Sequence, residues 1–159
     1  MGRIGDLETV RMATAAARER GATVVLTNGA FDMLHVGHLR YLRGAADLGE
    51  LVIAAVNSDS SVQQSKGPSR PVVPDFERAE LVAALEMVDW VVVFDEPTVT
   101  EIIETLQPDV HAKGTDYSAD DVPERGAVEA CGGRVAIVGD PKDHSTTELV
   151  ERLKDLDCD

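Results

Sequence analysis

The sequence predicts an α/β protein with a Rossmann-like, open, parallel five-stranded sheet and helices on both faces. Two features of the 159 residues lead to this prediction. Five short runs are mainly apolar, as expected of strands that are buried on both faces of a sheet. Between them lie segments whose apolar residues recur at helical spacing. Because strands and helices alternate, we expect parallel strands joined by right-handed crossovers.

The predicted elements follow one another in a regular order. The predicted strands are residues 23–27 (TVVLT), 51–56 (LVIAAV), 90–94 (WVVVF), 109–112 (DVHA) and 134–138 (RVAIV). The helical stripes are Leu39, Leu42 and Ala46; Leu81, Val82 and Leu85; Val99, Ile102, Ile103 and Leu106; and Leu149, Val150, Leu153 and Leu156. Residues 58–75 show no apolar period and are rich in proline, which predicts a functional loop.

The composition favours a single domain over residues 1–159, because a chain of this length buries enough surface to form its own core. The formal net charge of -14 argues against nucleic acid or an anionic membrane as partner, since both are bound through Lys and Arg. Cys131 and Cys158 lack metal-ligand spacing, which argues against a zinc site. No apolar run approaches the roughly 20 residues of a membrane span, so we expect a cytoplasmic protein.

Polar residues collect where the predicted strands end. Residues 28–38 (NGAFDMLHVGH), 57–59 (NSD), 113–117 (KGTDY) and 139–147 (GDPKDHSTT) each follow a predicted strand. Parallel sheets bind ligands beyond the carboxyl ends of their strands. The candidate site is therefore expected at this edge of the sheet.

The strongest single motif is His35-Val36-Gly37-His38, at a strand-to-helix junction. Residues three apart in a helix lie on one face, so both imidazoles can meet the same ligand. Gly37 has no Cβ, and the first turn of a helix favours an anion, which together indicate a phosphate site. The alternative is that one histidine caps the helix and the other is a surface residue.

Basic residues are scarce in the middle of the chain. Between positions 44 and 123 there are 16 acidic residues and only four basic ones, which are Lys66, Arg70, Arg78 and Lys113. Lysine and arginine in such a setting are candidates for binding phosphate groups. Lys66 and Arg70 could instead be solubilising surface charges, and Arg78 could be an exposed residue or a partner for Asp75. Lys113-Gly114 could simply end a strand in a turn.

Ser145-Thr146-Thr147 precedes a helical stripe and predicts a helix N-terminus. Such a terminus either caps its own helix or holds the outer phosphates of a nucleotide. No P-loop or GxGxxG pattern occurs, so the two commonest phosphate-binding motifs are absent and a P-loop kinase is disfavoured. No GxSxG pattern occurs either, which disfavours an α/β-hydrolase.

Residues 29–38 (GAFDMLHVGH) carry the pattern G-x-F-D-x-x-H-x-G-H, and the chain resembles the cytidylyltransferase-like nucleotidyltransferases. Residues 56–59 (VNSD), 66–72 (KGPSRPV), 113–117 and 145–147 extend this resemblance. Within the family the chain is most similar to the D-glycero-β-D-manno-heptose 1-phosphate adenylyltransferases, which occur alone or as the C-terminal domain of bifunctional ADP-heptose synthases.

The resemblance implies transfer of AMP from ATP to a heptose 1-phosphate, giving ADP-heptose and pyrophosphate, with Mg²⁺ accompanying ATP and no metal held by protein ligands alone. It implies catalytic roles for His35, His38, Lys66 and Arg78. It implies nucleotide binding by Gly29, Ala30, Phe31, Asp32, Gly37, Lys113, Gly114, Asp116, Ser145, Thr146 and Thr147. It implies substrate binding by Asn57, Asp59 and Arg70. By the same analogy the enzyme is expected to be a homodimer that binds ATP and a sugar 1-phosphate.

The sequence departs from the heptose enzymes at two places. Lys142-Asp143-His144 precedes the Ser-Thr-Thr element, and Thr115 stands where glycine is usual in the family. The choice of base therefore stays open, and a cytidylyltransferase acting on glycerol 3-phosphate or a similar phosphorylated alcohol is the alternative. A non-catalytic nucleotide-binding module is the alternative from another class.

Overall fold

Six parallel strands form one sheet in a computed structural model that describes residues 1–140 and 150–153. The strands are β1 (Arg3–Ile4), β2 (Val24–Gly29), β3 (Leu51–Asn57), β4 (Trp90–Phe94), β5 (Val110–Gly114) and β6 (Arg134–Val138). The helices are α1 (Leu7–Glu19), α2 (Val36–Ala46), α3 (Asp59–Lys66), α4 (Asp75–Ala83), α5 (Thr100–Leu106) and α6 (Arg125–Ala130). The spatial order is β1-β4-β3-β2-β5-β6, so the neighbours β1 and β4, and likewise β2 and β5, are not consecutive in the chain.

The hydrophobic core lies on both faces of the sheet, which confirms the predicted arrangement of helices. On one face α1, α5 and α6 cover β2, β3 and β4 through side chains such as Val10, Ile103 and Val128. On the other face α2 and α4 pack through Leu42 and Val82. Strands β2 and β3 are buried on both sides, because every residue of their central runs faces one of these layers.

The five-stranded prediction is corrected to six strands. The additional strand β1 pairs with β4, with Arg3 opposite Trp90 and Ile4 opposite Val91. Only two residues long and exposed, it carries no apolar run that could reveal it. Its existence depends on a neighbouring strand and not on its own composition.

The proline-rich interval 58–75 was predicted to be a loop. The structure differs, because most of the first half of this interval forms α3. The Ser58 side chain caps this helix by accepting a hydrogen bond from the Ser61 backbone N–H. Helix α3 is mostly polar, with Ser61 and Val62 as its buried residues, so it shows no apolar stripe. The remaining irregular segment, residues 67–74, connects α3 to α4.

Gly133 lies where the chain enters β6, and we expect Gly133→Ala to destabilise the fold. A Cβ at this position would lie 2.3 Å from the Pro108 carbonyl oxygen, and backbone atoms cannot move away cheaply. The expected loss is about 1 to 3 kcal/mol in the free energy of unfolding, measured by urea denaturation. Gly126→Ala in α6 is the matched control, because its Cβ would meet nothing within 4 Å. It should gain up to about 1 kcal/mol, and equal effects of the two substitutions would contradict the prediction.

Candidate active site

A cleft of about 600 Å³ opens at the carboxyl ends of the strands. Its lining includes many of the predicted residues, namely Gly29, Ala30, Phe31, Asp32, His35, Gly37, His38, Asn57, Lys66, Lys113, Gly114 and Asp116. Three predicted residues, Asp59, Arg70 and Arg78, lie outside the lining. Ser145, Thr146 and Thr147 fall outside the residues that the structure describes.

The two histidines of the cleft lie side by side at the N-terminus of α2, with ring centroids 4.0 Å apart. His35 is the N-cap, and its Nδ1 accepts a hydrogen bond of 3.1 Å from the Gly37 N–H. The His38 Nδ1 accepts one of 3.3 Å from the His35 N–H. Both rings therefore cap the helix and also line the cleft, and neither is simply a surface residue.

These two hydrogen bonds select a tautomer for each ring. Because Nδ1 accepts in both cases, the proton of each neutral imidazole is on Nε2. Burial, together with the nearby His35 and Lys66 side chains, lowers the pKa of His38 to about 4. At neutral pH His38 of the free protein is therefore an uncharged Nε2–H donor and not a cation.

The lowered pKa of His38 predicts a loss of stability in acid. The unfolded chain binds a proton near pH 6.5 and the folded chain near pH 4, so the unfolded state binds more protons between these values and stability falls as the pH drops through them. We expect about 2 kcal/mol from this residue between pH 7 and pH 4.5. Urea denaturation at both pH values measures it.

His38→Gln is the comparison variant for this pH dependence, because glutamine does not titrate. The stability difference between pH 7 and pH 4.5 should shrink in His38→Gln. The buried His111, whose pKa burial lowers to about 3, remains in both proteins and contributes equally. An unchanged pH dependence in the variant would refute the assignment.

Asp32 links the segment 67–74 to the loop that follows β2 through hydrogen bonds and an ion pair. It is buried, accepts hydrogen bonds from the Val72 and Val73 backbone N–H groups, and pairs with Arg70 at 2.8 Å. Arg70 was expected to bind substrate, but its Nη1 donates to Asp32 and the side chain lies outside the cleft lining. The pair shapes the wall of the cleft.

Arg78 is fully buried beneath the cleft, which differs from the predicted contact with phosphate groups. Its guanidinium donates to the backbone carbonyl oxygens of Val73, Ala30 and Asn57 and to the Asp59 carboxylate. The side chain points from α4 toward the sheet, where these carbonyl groups converge from separate segments. Arg78 and Asp59 therefore hold the site together from below.

Lys113 ends β5 with its Nζ 3.1 Å from the Asn28 Oδ1 and 3.7 Å from the Glu124 Oε2. The ammonium lies 4.6 Å from the centre of the Tyr117 ring. Burial lowers the pKa of Lys113, and the Glu124 carboxylate opposes that shift. The β5 side of the cleft thus carries a buried cation with several partners.

The cleft is also lined by residues that the sequence patterns did not single out, namely Arg40, Tyr41, Ser65, Pro97, Thr98, Pro123, Glu124 and Val138. Other lining residues lie in the polar segments expected at this edge of the sheet but had no predicted role, namely Asn28, Thr115, Tyr117, Gly139 and Asp140. Tyr41 lies three residues after His38, so helical spacing could have indicated it. The Tyr41 hydroxyl donates to the Ala112 carbonyl at 2.7 Å and joins α2 to β5.

Among residues 1–140 and 150–153, no three His, Cys, Asp or Glu side chains are grouped as a metal site would need. In the same part of the chain no helix is long and apolar enough to cross a membrane.

Comparison with known proteins gives concordant matches. The family model described as cytidylyltransferase-like matches residues 26–152. The chain is 48% identical over 148 residues to the bifunctional protein HldE of Syntrophotalea carbinolica, across 93% of this chain and 30% of that protein. It is 44% identical over 152 residues to bifunctional protein HldE of Geotalea uraniireducens, across 96% of this chain and 31% of that protein. The chain thus spans less than a third of the length of these relatives.

A solved structure shares the fold. The lipopolysaccharide core biosynthesis protein of Thermoplasma volcanium GSS1 superimposes with a TM-score of 0.66 at 24% identity, over 77% of this chain and 100% of that one. The family match covers most of the chain, including the paired histidines and the cleft that they line. The chain therefore belongs to the cytidylyltransferase-like family.

Proposed function

We propose that the protein is an adenylyltransferase that transfers AMP from ATP to a heptose 1-phosphate, giving ADP-heptose and pyrophosphate. The observation that carries the proposal is the pair of Nε2–H imidazoles at the N-terminus of α2, open to a cleft that also holds Lys66 and Lys113. The similarity to HldE proteins over nearly the whole chain supports the choice of substrate.

In this reaction a phosphate oxygen of the sugar phosphate attacks the α-phosphorus of ATP, and the bond to the bridging oxygen of the β-phosphate breaks. The protein must stabilise negative charge on the equatorial oxygens and on the leaving pyrophosphate. His35 and His38 would donate Nε2–H to these oxygens, while Lys66 and Lys113 would supply positive charge. Gly37, which has no side chain, lets a phosphate approach the first amides of α2.

The residues of the cleft suit a Mg²⁺ ion that arrives with the nucleotide. Asp32 is already engaged by Arg70 and two backbone N–H groups, and the described residues form no cluster of metal ligands. Phosphate oxygens would therefore provide most of the coordination, as is usual for Mg²⁺. When bound, the ion would neutralise charge that builds up on the pyrophosphate.

The test is a substrate panel with the purified protein. ATP or CTP is combined with D-glycero-β-D-manno-heptose 1-phosphate or glycerol 3-phosphate in the presence of Mg²⁺, and released pyrophosphate is measured. We expect pyrophosphate with ATP and the heptose 1-phosphate, together with ADP-heptose by mass spectrometry. Turnover with CTP and glycerol 3-phosphate alone would instead identify a cytidylyltransferase. ATP binding without pyrophosphate from either acceptor would identify a binding module.

We also propose that the enzyme is a cytoplasmic homodimer with no nucleic-acid or membrane partner. The net charge of -14 supports the absence of polyanionic partners. Sedimentation velocity at micromolar concentration tests the oligomeric state, and a purely monomeric boundary would overturn the dimer.

A further inference from the structure

A cluster of side chains surrounds the buried Lys113 ammonium on the β5 side of the cleft. The Lys113 side chain is 8% exposed and that of its ion-pair partner Glu124 is 6% exposed. Asn28 accepts a hydrogen bond from the ammonium, and the Tyr117 ring covers it at 4.6 Å. A buried ammonium needs such partners, because water no longer stabilises its charge.

The orientation of Glu124 is informative. Glu124 is the N-cap residue of α6, where an acidic side chain would ordinarily accept hydrogen bonds from its own helix. It makes no such capping bond. Its Oε2 has no hydrogen-bond donor among the described residues and lies 3.7 Å from the Lys113 Nζ. The carboxylate is therefore placed beside the ammonium and not used to cap the helix.

The titratable groups other than Glu124 that surround Lys113 are uncharged. The negative charge beside the Lys113 ammonium therefore comes from Glu124. His111, from the same strand, donates its Nε2–H to the Asn28 Oδ1, 3.1 Å away, and its pKa is lowered to about 3, so it is neutral. Tyr41 from α2 has a pKa raised by burial and is also neutral. Tyr117 contributes the face of its ring.

We propose that Glu124 is a positioning residue, which keeps the Lys113 ammonium charged and directed at the phosphate oxygens of a bound nucleotide. The inference rests on the proposed function, because it assigns Lys113 to the triphosphate. Burial lowers the pKa of Lys113, and the carboxylate counteracts this. Without the carboxylate, the lysine would lose its proton at a lower pH and the cleft would lose a cation.

The test is the pH dependence of nucleotide binding and turnover in Glu124→Gln, which keeps the shape of the side chain and removes its charge. ATP affinity is measured by calorimetry and kcat/KM by pyrophosphate release, both between pH 6.5 and 10. The profile of kcat/KM reports ionisations of the free enzyme. We expect kcat/KM to begin its decline at alkaline pH at least about one pH unit lower in the variant. A nearby opposite charge shifts a pKa by about this amount. Glu124→Asp should restore the profile.

Two further variants isolate the lysine. Lys113→Arg keeps a positive charge at every pH tested, so its profile should no longer respond to the addition of Glu124→Gln. Glu129→Gln, on the exposed side of α6, is the matched control and should follow the unmodified protein. An alkaline decline at the same pH in Glu124→Gln and the unmodified protein would overturn the inference, as would a shift that persists with Lys113→Arg.

The calorimetric profile separates this inference from the proposed function. It needs ATP alone, so it tests the Lys113–Glu124 pair even if no acceptor in the substrate panel is turned over. Turnover with an unshifted binding profile would leave the proposed function standing and remove the role of Glu124.

Discussion

His38→Ala is expected to lose at least about 100-fold in kcat, with a much smaller change in KM for ATP. The His38 Nε2–H is held toward the cleft by the bond from the His35 N–H to Nδ1, so it is a preorganised donor. Removing one donor to developing charge typically costs about 2.7 kcal/mol or more of transition-state stabilisation. A donor that acts mainly in the transition state lowers kcat rather than raising KM. Steady-state kinetics with pyrophosphate release measures both constants.

His38→Gln is the matched variant for this experiment, because its amide can place an N–H near the position of Nε2. It should retain more activity than His38→Ala. Thermal unfolding and ATP calorimetry establish that both variants are folded and bind nucleotide. A kcat for His38→Ala within threefold of the unmodified protein would remove His38 from the chemistry.

Arg78→Met is expected to produce the largest loss of stability, about 3 to 5 kcal/mol in the free energy of unfolding. The substitution leaves the carbonyl oxygens of Ala30, Asn57 and Val73 without this donor. It also removes the partner of the Asp59 carboxylate, which is 37% exposed and stays partly hydrated. Unpaired polar groups at a buried site cost more than the lost hydrogen bonds themselves. Urea denaturation gives the free energy for each protein.

The control for Arg78→Met is Arg125→Met, because Arg125 also pairs with two carboxylates, Asp120 and Glu129, but at the surface. Exposed pairs contribute little, so its effect should stay within about 1 kcal/mol. The comparison also separates two roles of Arg78. A stable but inactive Arg78→Met protein would mean that the guanidinium contacts substrate, as the sequence analysis expected, and not that it supports the site.

The polar residues around the cleft differ in whether they face the cleft or support the segments that form it. His35, His38, Lys66 and Lys113 line the cleft, whereas Arg70, Asp59 and Arg78 lie outside its lining and hold the surrounding segments together. Asp32 does both, because it lines the cleft and pairs with Arg70. These residues look alike in the sequence, since each is a charged or titratable side chain with no local sign of burial. Only burial and hydrogen-bond partners distinguish them.

The alternation of apolar runs and helical stripes determined the parallel α/β fold, and the spacing of His35 and His38 determined their shared face. Both are local properties, because strand burial needs consecutive apolar residues and a helix turns every 3.6 residues. Strand β1 and helices α1, α3 and α6 were not among the predicted elements. Strand β1 and helix α3 have no apolar pattern, and each is held by hydrogen bonds to other segments or to a cap.

The tertiary structure alone decided that Arg78 supports the site from beneath and that Glu124 meets Lys113. The carbonyl groups that surround Arg78 come from three separate segments, and the Glu124 carboxylate reaches Lys113 across a surface loop. A charged side chain has the same local sequence signal whether it is solvated or buried. Its energetic role depends on which distant groups replace water around it, and the folding of the whole chain decides that.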